Sequence, residues 1–130
     1  MLPFLRRGPR AGGLYSVTID GRGYAMVKVL VATRQVVHLR VYSNRYAERP
    51  TTIDPAELFL APVRDMSDMA LNATHPEQRA DPGPFGIGHL PIRPTSFAAW
   101  QPRLVATTMV AAEELEAYEA WRESRGGIFP

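Results

Sequence analysis

Between residues 24 and 42 apolar side chains recur at every second position. Ala25, Val27, Val29 and Val31 fall on one face of Tyr24–Ala32, and Val37, Leu39 and Val41 on one face of Val36–Tyr42. A period of two is the mark of a half-buried β-strand. Only Thr33-Arg34-Gln35 separates the two segments, so they form a hairpin on an odd-numbered loop with a bulge. Burying both apolar sets together puts Val31 opposite Val37, Val29 opposite Leu39 and Val27 opposite Val41. A slip of one residue would turn one set towards water, so the pattern itself dictates the pairing. The other face then holds Tyr24, Met26, Lys28 and Leu30 beside Val36, His38, Arg40 and Tyr42. Lys28 lies across from Arg40, a like-charge pair unfavourable by up to ~1 kcal/mol. A carboxylate is expected near them.

The remaining pattern supplies the other elements. Gly13–Ile19 alternates and predicts a first strand, followed by a turn at Asp20-Gly21-Arg22-Gly23. Residues 50–60, PTTIDPAELFL, predict a short strand, a turn at Asp54-Pro55, and a further strand or helical turn over Glu57–Leu60. Six of the twelve prolines fall in 61–94, which reads as a long loop with a short helical piece around Asp65–Leu71. Ser96–Trp100 predicts a short helix ended by Pro102, and Leu104–Val110 an extended segment. Ala111–Arg125 has the clearest helical character: acids at its start, Arg122 and Arg125 at its end, and Gly126-Gly127 as a stop. Leu115, Tyr118 and Trp121 form its apolar stripe. Ile128 and Phe129 are expected to fold back.

Length and charge narrow the class. The 130 residues fit one domain, read as a flexible arm over 1–12 and a single α+β domain over 13–130. There is no cysteine, which excludes disulfides and thiolate metal ligands. The start, MLPFLRRGPRAGG, lacks a signal-peptide pattern, and no run approaches a membrane span, so a cytoplasmic setting and no membrane partner are expected. Residues 1–50 carry nine Lys/Arg and two Asp/Glu, a balance of +7, against −5 over residues 51–130. Two readings follow: the halves attract each other, or the first half presents a basic binding face.

Candidate chemistry is sparse. Phosphate-loop, nucleophile-elbow, H-E-x-x-H and C-x-x-C signatures are absent, and no cofactor or metal is implied. Asp54 with Glu57, and Asp65 with Asp68, have a spacing that also describes a helix cap. Of the three histidines, His38 reads as structural and His75 as solvated. His89 stands in FGIGHLPI, which has two readings: a glycine-rich turn presents it at a pocket as a general base, or, the preferred one, the glycines only let a loop cross a sheet edge. The densest constellation is Arg40, Tyr42, Arg45, Tyr46 and Arg49, with Tyr24 and His38 nearby. Arg and Tyr are enriched at interface hot spots, and the same pair suits stacking and phosphate contact with single-stranded nucleic acid. The competing reading is internal: helix 111–125 docks on this face, with Leu115, Tyr118 and Trp121 over Met26, Leu30 and Val36 and a glutamate beside Lys28 and Arg40.

The opening GLYSVTIDGRGYAMVKVL resembles that of a family of small bacterial immunity proteins from polymorphic-toxin systems. Gly13, Tyr15, Val17, Gly23, Tyr24, Lys28, Val29 and Leu30 fit its pattern of a G-x-Y/F-x-V strand, a Gly-containing turn, an aromatic residue and a second strand. The resemblance covers residues 13–42. It implies a strongly bent, SH3-like β start and neutralisation of a toxin by binding.

Together these readings predict an α+β fold: a small, bent antiparallel sheet, an SH3-like partial barrel, packed by the C-terminal helix and covered by a long Pro-rich loop. The function expected is a non-catalytic protein-binding module, toxin-neutralising by resemblance, acting through Arg40, Tyr42, Arg45, Tyr46 and Arg49. The alternatives are a single-stranded nucleic-acid-binding module that adds Arg6, Arg7 and Arg10, and a small enzyme built on His89.

Overall fold

A computed structural model describes residues 8–18, 23–60 and 86–124. The fold is α+β. Five strands, β1 (Gly13–Val17), β2 (Tyr24–Ala32), β3 (Val37–Tyr46), β4 (Ile87–Ile92) and β5 (Arg103–Thr107), form one open antiparallel sheet in the order β4-β3-β2-β1-β5. A short helix, α1 (Pro94–Ala99), joins the two edge strands. Two 3₁₀ turns, Pro55–Glu57 and Ala112–Leu115, and a terminal helix, α2 (Glu116–Ser124), complete the described structure.

Alternation along the central strands sorts side chains onto two faces. Tyr15, Val17, Ala25, Val27, Val29, Val37, Leu39, Val41 and Ile92 build the main core on one face, closed by Phe97 of α1. Pro94 opens α1 with a preset φ and no N–H to satisfy. Phe97 then meets Tyr15 edge to face, 5.7 Å between ring centres. The second face carries Leu14, Met26 and Tyr42, covered by Ile53, Leu58, Leu60, Val105 and Ala106. It also carries the polar residues Ser16, Lys28 and His38, all buried.

The hairpin pairs Val27 with Val41, Lys28 with Arg40 and Val29 with Leu39, as the alternation requires. The expected fourth pair is corrected. Val31 faces His38 and Ala32 faces Val37, because a bulge between Val29 and Val31 puts one extra residue into β2. The loop is therefore Thr33–Val36, held by Val36 N–H donating to Thr33 Oγ1 at 3.0 Å and Thr33 N–H donating to Val36 O at 2.9 Å. The bulge keeps Val37 in the core and moves Val31 out of it. A second irregularity lets β3 run on to Tyr46, where Arg45 and Tyr46 still pair with Ala25 and Tyr24.

Three other expectations are corrected. Residues 50–60 hold a 3₁₀ turn and no regular strand, and Asp54 caps that turn by accepting from Ala56 N–H at 3.0 Å. Ile87–Ile92, expected as glycine-rich loop, is strand β4. It tolerates Gly88 and Pro91 because an edge strand has one unpaired side. The helix expected over Ala111–Arg125 begins as 3₁₀ and becomes α-helical only from Glu116. Residues 1–7 of the expected arm, most of the turn expected at Asp20-Gly21-Arg22-Gly23, the helical piece expected around Asp65–Leu71 and the fold-back expected of Ile128 and Phe129 lie outside the described residues. Arg10 and Gly12 are bonded to the sheet: Arg10 N–H donates to Tyr15 Oη and Gly12 N–H to Val29 O.

Two glycines are required by their backbone. Gly12 has φ +86° and Gly23 φ +122°, and a Cβ at either would run into a carbonyl oxygen, of Thr108 and of Tyr46 respectively.

Candidate functional site

On the second face, β2 and β3 place Lys28 beside Arg40, and β4 adds His89 on the same face as His38. Without a counter-charge this row would be strongly cationic. Glu114 supplies one. The chain reverses after β5, and the Ala112–Leu115 turn drops its carboxylate onto the row. Lys28 Nζ donates to both Glu114 oxygens at 2.9 and 3.2 Å, and Arg40 lies 3.5 Å away. Glu114 Oε1 also accepts from Ala111 N–H at 2.8 Å, so one carboxylate caps the turn and neutralises the sheet. Lys28, 5 % exposed, completes its shell with Met109 O. Burial pushes the Glu114 carboxyl up, but the Ala111 and Lys28 bonds and the charges of Lys28 and Arg40 outweigh it and hold the carboxyl below its usual range.

Next to this triad the two histidines meet. His38 Nδ1 and His89 Nε2 are 2.9 Å apart and share a hydrogen bond, with the ring planes 8° apart. Tyr118 and Trp121 of α2 stand edge to face on His38, at 4.7 and 4.6 Å between ring centres, and also touch His89. Burial, and then the His89 charge, lowers the pKa of His38 to about 4, and burial lowers that of His89. Both rings are therefore neutral at pH 7.

The sequence-predicted residues separate into distinct roles. Arg40 and Tyr42 lie under the C-terminal segment or in the second cluster. Burial first, and then the Glu114 charge, pushes the Tyr42 phenol up against a smaller opposing effect of Arg40. Arg49 turns inward: its Nη1 donates to Ser16 Oγ at 2.9 Å, Ser16 O at 3.2 Å and Gln101 O at 3.0 Å, and its guanidinium lies 4.9 Å from the Tyr24 ring centre. Tyr46 is half-buried against the second cluster. Arg45 is exposed, with Nη1 donating to the carbonyls of Tyr42 and Asn44. His89, for which a pocket is the lesser reading, stands in the edge strand β4 and lies in the ring stack described above. The expected helix cover exists, but Tyr118 and Trp121 sit on the histidines, and Met26 is covered by the 53–60 segment and β5.

Three large apolar residues are exposed among the described residues, Phe59, Leu104 and Met109, and of these Phe59 adjoins the tip of β3. Phe59 is 50 % exposed. Ser43 N–H donates to Phe59 O at 2.8 Å, Phe59 N–H to Asn44 Oδ1 at 3.0 Å, and Asn44 Nδ2 to Glu57 O at 3.0 Å. These bonds lay the segment along the edge of β3 beyond the end of β4. The signal was present in Leu58-Phe59-Leu60: Leu58 and Leu60 turn to the second cluster, and a period of two turns Phe59 outward.

Among the described residues no group of three or more His, Asp or Glu is placed to hold a metal ion, and no helix is long and apolar enough to cross a membrane. No protein family, curated protein or solved structure matches this chain.

Proposed function

We propose that the chain is a non-catalytic protein-binding module whose contact surface is the tip of β3 with the Phe59 segment. The observation that carries the reading is a large apolar side chain, half exposed, on a segment held by three hydrogen bonds to Ser43 and Asn44, with the exposed Arg45 following directly in β3. An anchored backbone loses little entropy on binding, and the Arg45 guanidinium, with Nη1 on the carbonyls of Tyr42 and Asn44, keeps Nε and Nη2 for a partner's carboxylate. Arg and aromatic anchors of this kind dominate interface energetics. The surface is smaller than the five-residue set, because Arg40, Tyr42 and Arg49 are engaged within the fold.

The immunity-like reading extends this proposal: the partner is a toxin, met in the cytoplasm. The strand order supports the SH3-like part, since β1 pairs with both the second strand and the last. Two alternatives draw less support. Single-stranded nucleic acid would need open aromatic platforms, whereas Tyr42 is buried and the Tyr24 ring is covered by Arg49. Catalysis by His89 would need a ring nitrogen open to a substrate, whereas Nε2 is shared with His38 and the ring stands against Tyr118 and Trp121, which leaves only Nδ1.

The test is photo-crosslinking from position 59 of the full chain in native lysate, in the parent and an Arg45→Glu background. A discrete crosslinked protein that Arg45→Glu abolishes, and that a Gln35→Glu control at the far hairpin loop leaves intact, is expected. A crosslinking pattern unchanged by Arg45→Glu would overturn the reading.

A further inference from the structure

We propose that α2 (Glu116–Ser124) is an acid-released flap, latched by the His38–His89 pair and hinged where the 3₁₀ turn Ala112–Leu115 passes into the α-helix. Four observations meet here. First, no residue of α2 is buried, and its nine residues are too few for a helix that is stable in water without docking. Second, its described ring contacts with the sheet converge on the two histidines, through Tyr118 and Trp121. Third, the two histidines accept and donate one shared proton across 2.9 Å, with His38 only 1 % exposed. Fourth, the turn just before α2 is anchored independently, by Glu114 on Lys28 and Arg40.

The charged surroundings set the direction. Lys28 on β2 and Arg40 on β3 are cations on the same face. Glu114 on the 3₁₀ turn is committed to both of them. On α2, Arg122 lies 5.8 Å from the Tyr118 ring centre and is paired with Glu119 at 3.1 Å. Tyr42, on the same side of β3, is an uncharged phenol at these pH values. Among the described residues no carboxylate pairs with either imidazole. A first proton keeps the N–H to N bond but adds a cation to a desolvated, already cationic row. A second proton takes the accepting lone pair, and N–H then points at N–H. His89 is already partly exposed, but water can solvate a charge on His38, 1 % exposed, only once the rings of α2 move away.

The sign follows from the linkage. The rings bind protons more weakly when covered, so docking is complete above pH 6.5 and weakens as pH falls towards about 4. The His38 contribution alone weakens docking on the order of 100-fold by pH 4. Glu114, whose carboxyl is held low, remains ionised through most of this window, so the turn stays pinned while the helix leaves. Release uncovers His38 and His89 as they become charged, beside Arg40.

The chain has two tryptophans, Trp100 and Trp121, and Trp100 packs on Phe97 at the opposite face. Fluorotryptophan labelling of the full chain, followed by ¹⁹F NMR from pH 7.5 to 4, reads both sites at once. The Trp121 resonance is expected to move to a solvent-exposed position with a midpoint between pH 6.5 and 4, while that of Trp100 stays. In His38→Gln/His89→Gln the Trp121 movement is expected to vanish. Should that double variant not fold, His89→Gln alone is expected to displace the midpoint. A stationary Trp121, both resonances moving together, or a midpoint indifferent to the histidine substitutions would each overturn the proposal.

Discussion

Replacing Glu114 by Gln tests how far one carboxylate holds the C-terminal segment to the sheet. The substitution conserves shape and leaves an amide oxygen that can still accept from Ala111 N–H. It removes the charge facing Lys28 at 2.9 Å and Arg40 at 3.5 Å. Breaking a fully buried ion pair by deleting one partner costs roughly 3–5 kcal/mol. Here the side chains of Glu114 and Arg40 keep 12 % and 20 % exposure, and Lys28 keeps Met109 O, which together reduce the loss to about 2–3 kcal/mol. The uncompensated Lys28–Arg40 opposition across the ladder adds up to ~1 kcal/mol. A total of about 3 kcal/mol is expected, read as a lower urea midpoint at unchanged slope. The pair is shielded from solvent, so 0.5 M NaCl should recover little of it. Lys28→Met combined with Glu114→Gln should cost at least ~1 kcal/mol less than the two single changes added together, the coupling of a direct contact. The pH profile carries the same information. Because the Glu114 carboxyl is held below its usual value, its stabilisation is present above pH 4.5 and lost as pH falls through the lower folded pKa. Glu114→Gln should therefore flatten the acid limb below pH 4.5. A loss under ~0.5 kcal/mol, or strict additivity with Lys28→Met, would refute this account of the site.

Gly12→Ala combines a left-handed φ with a Cβ driven into the Thr108 carbonyl, and should lower stability by roughly 2–3 kcal/mol in urea titration. Gly23→Ala, against Tyr46 O, should act in the same direction. Arg49→Ala removes a guanidinium that ties Ser16 to Gln101 and covers Tyr24, and is expected to cost about 2 kcal/mol. Arg45→Ala, four residues earlier and exposed, should change stability by less than ~0.5 kcal/mol in the same titration, which separates a structural arginine from one available to a partner.

Much of the sheet could be read directly from residue order. The alternation over 24–42 identified the two central strands, their buried faces, and three of the pairings between them. The like charges thereby placed at Lys28 and Arg40 called for a carboxylate, and Glu114 occupies that place. Local pattern succeeds here because each strand turns alternate residues to opposite faces, so the valine-rich positions share one side and a one-residue slip would exchange them for the polar side, although the fold buries both. It fails where the deciding neighbour is distant. β4 was hidden by Gly88 and Pro91, because an edge strand is tolerated on one side only and needs no continuous propensity. His38 and His89 are 51 positions apart, and nothing in either segment announces that β3 and β4 place their rings together. Arg45 and Arg49 look alike along the chain, and only the approach of Ser16 and Gln101 makes one internal and leaves the other to solvent. Residue order thus determined which faces are apolar and where charge must be balanced. Tertiary packing decided which of the arginines and histidines the fold uses itself, because that depends on which remote element comes to lie across the sheet.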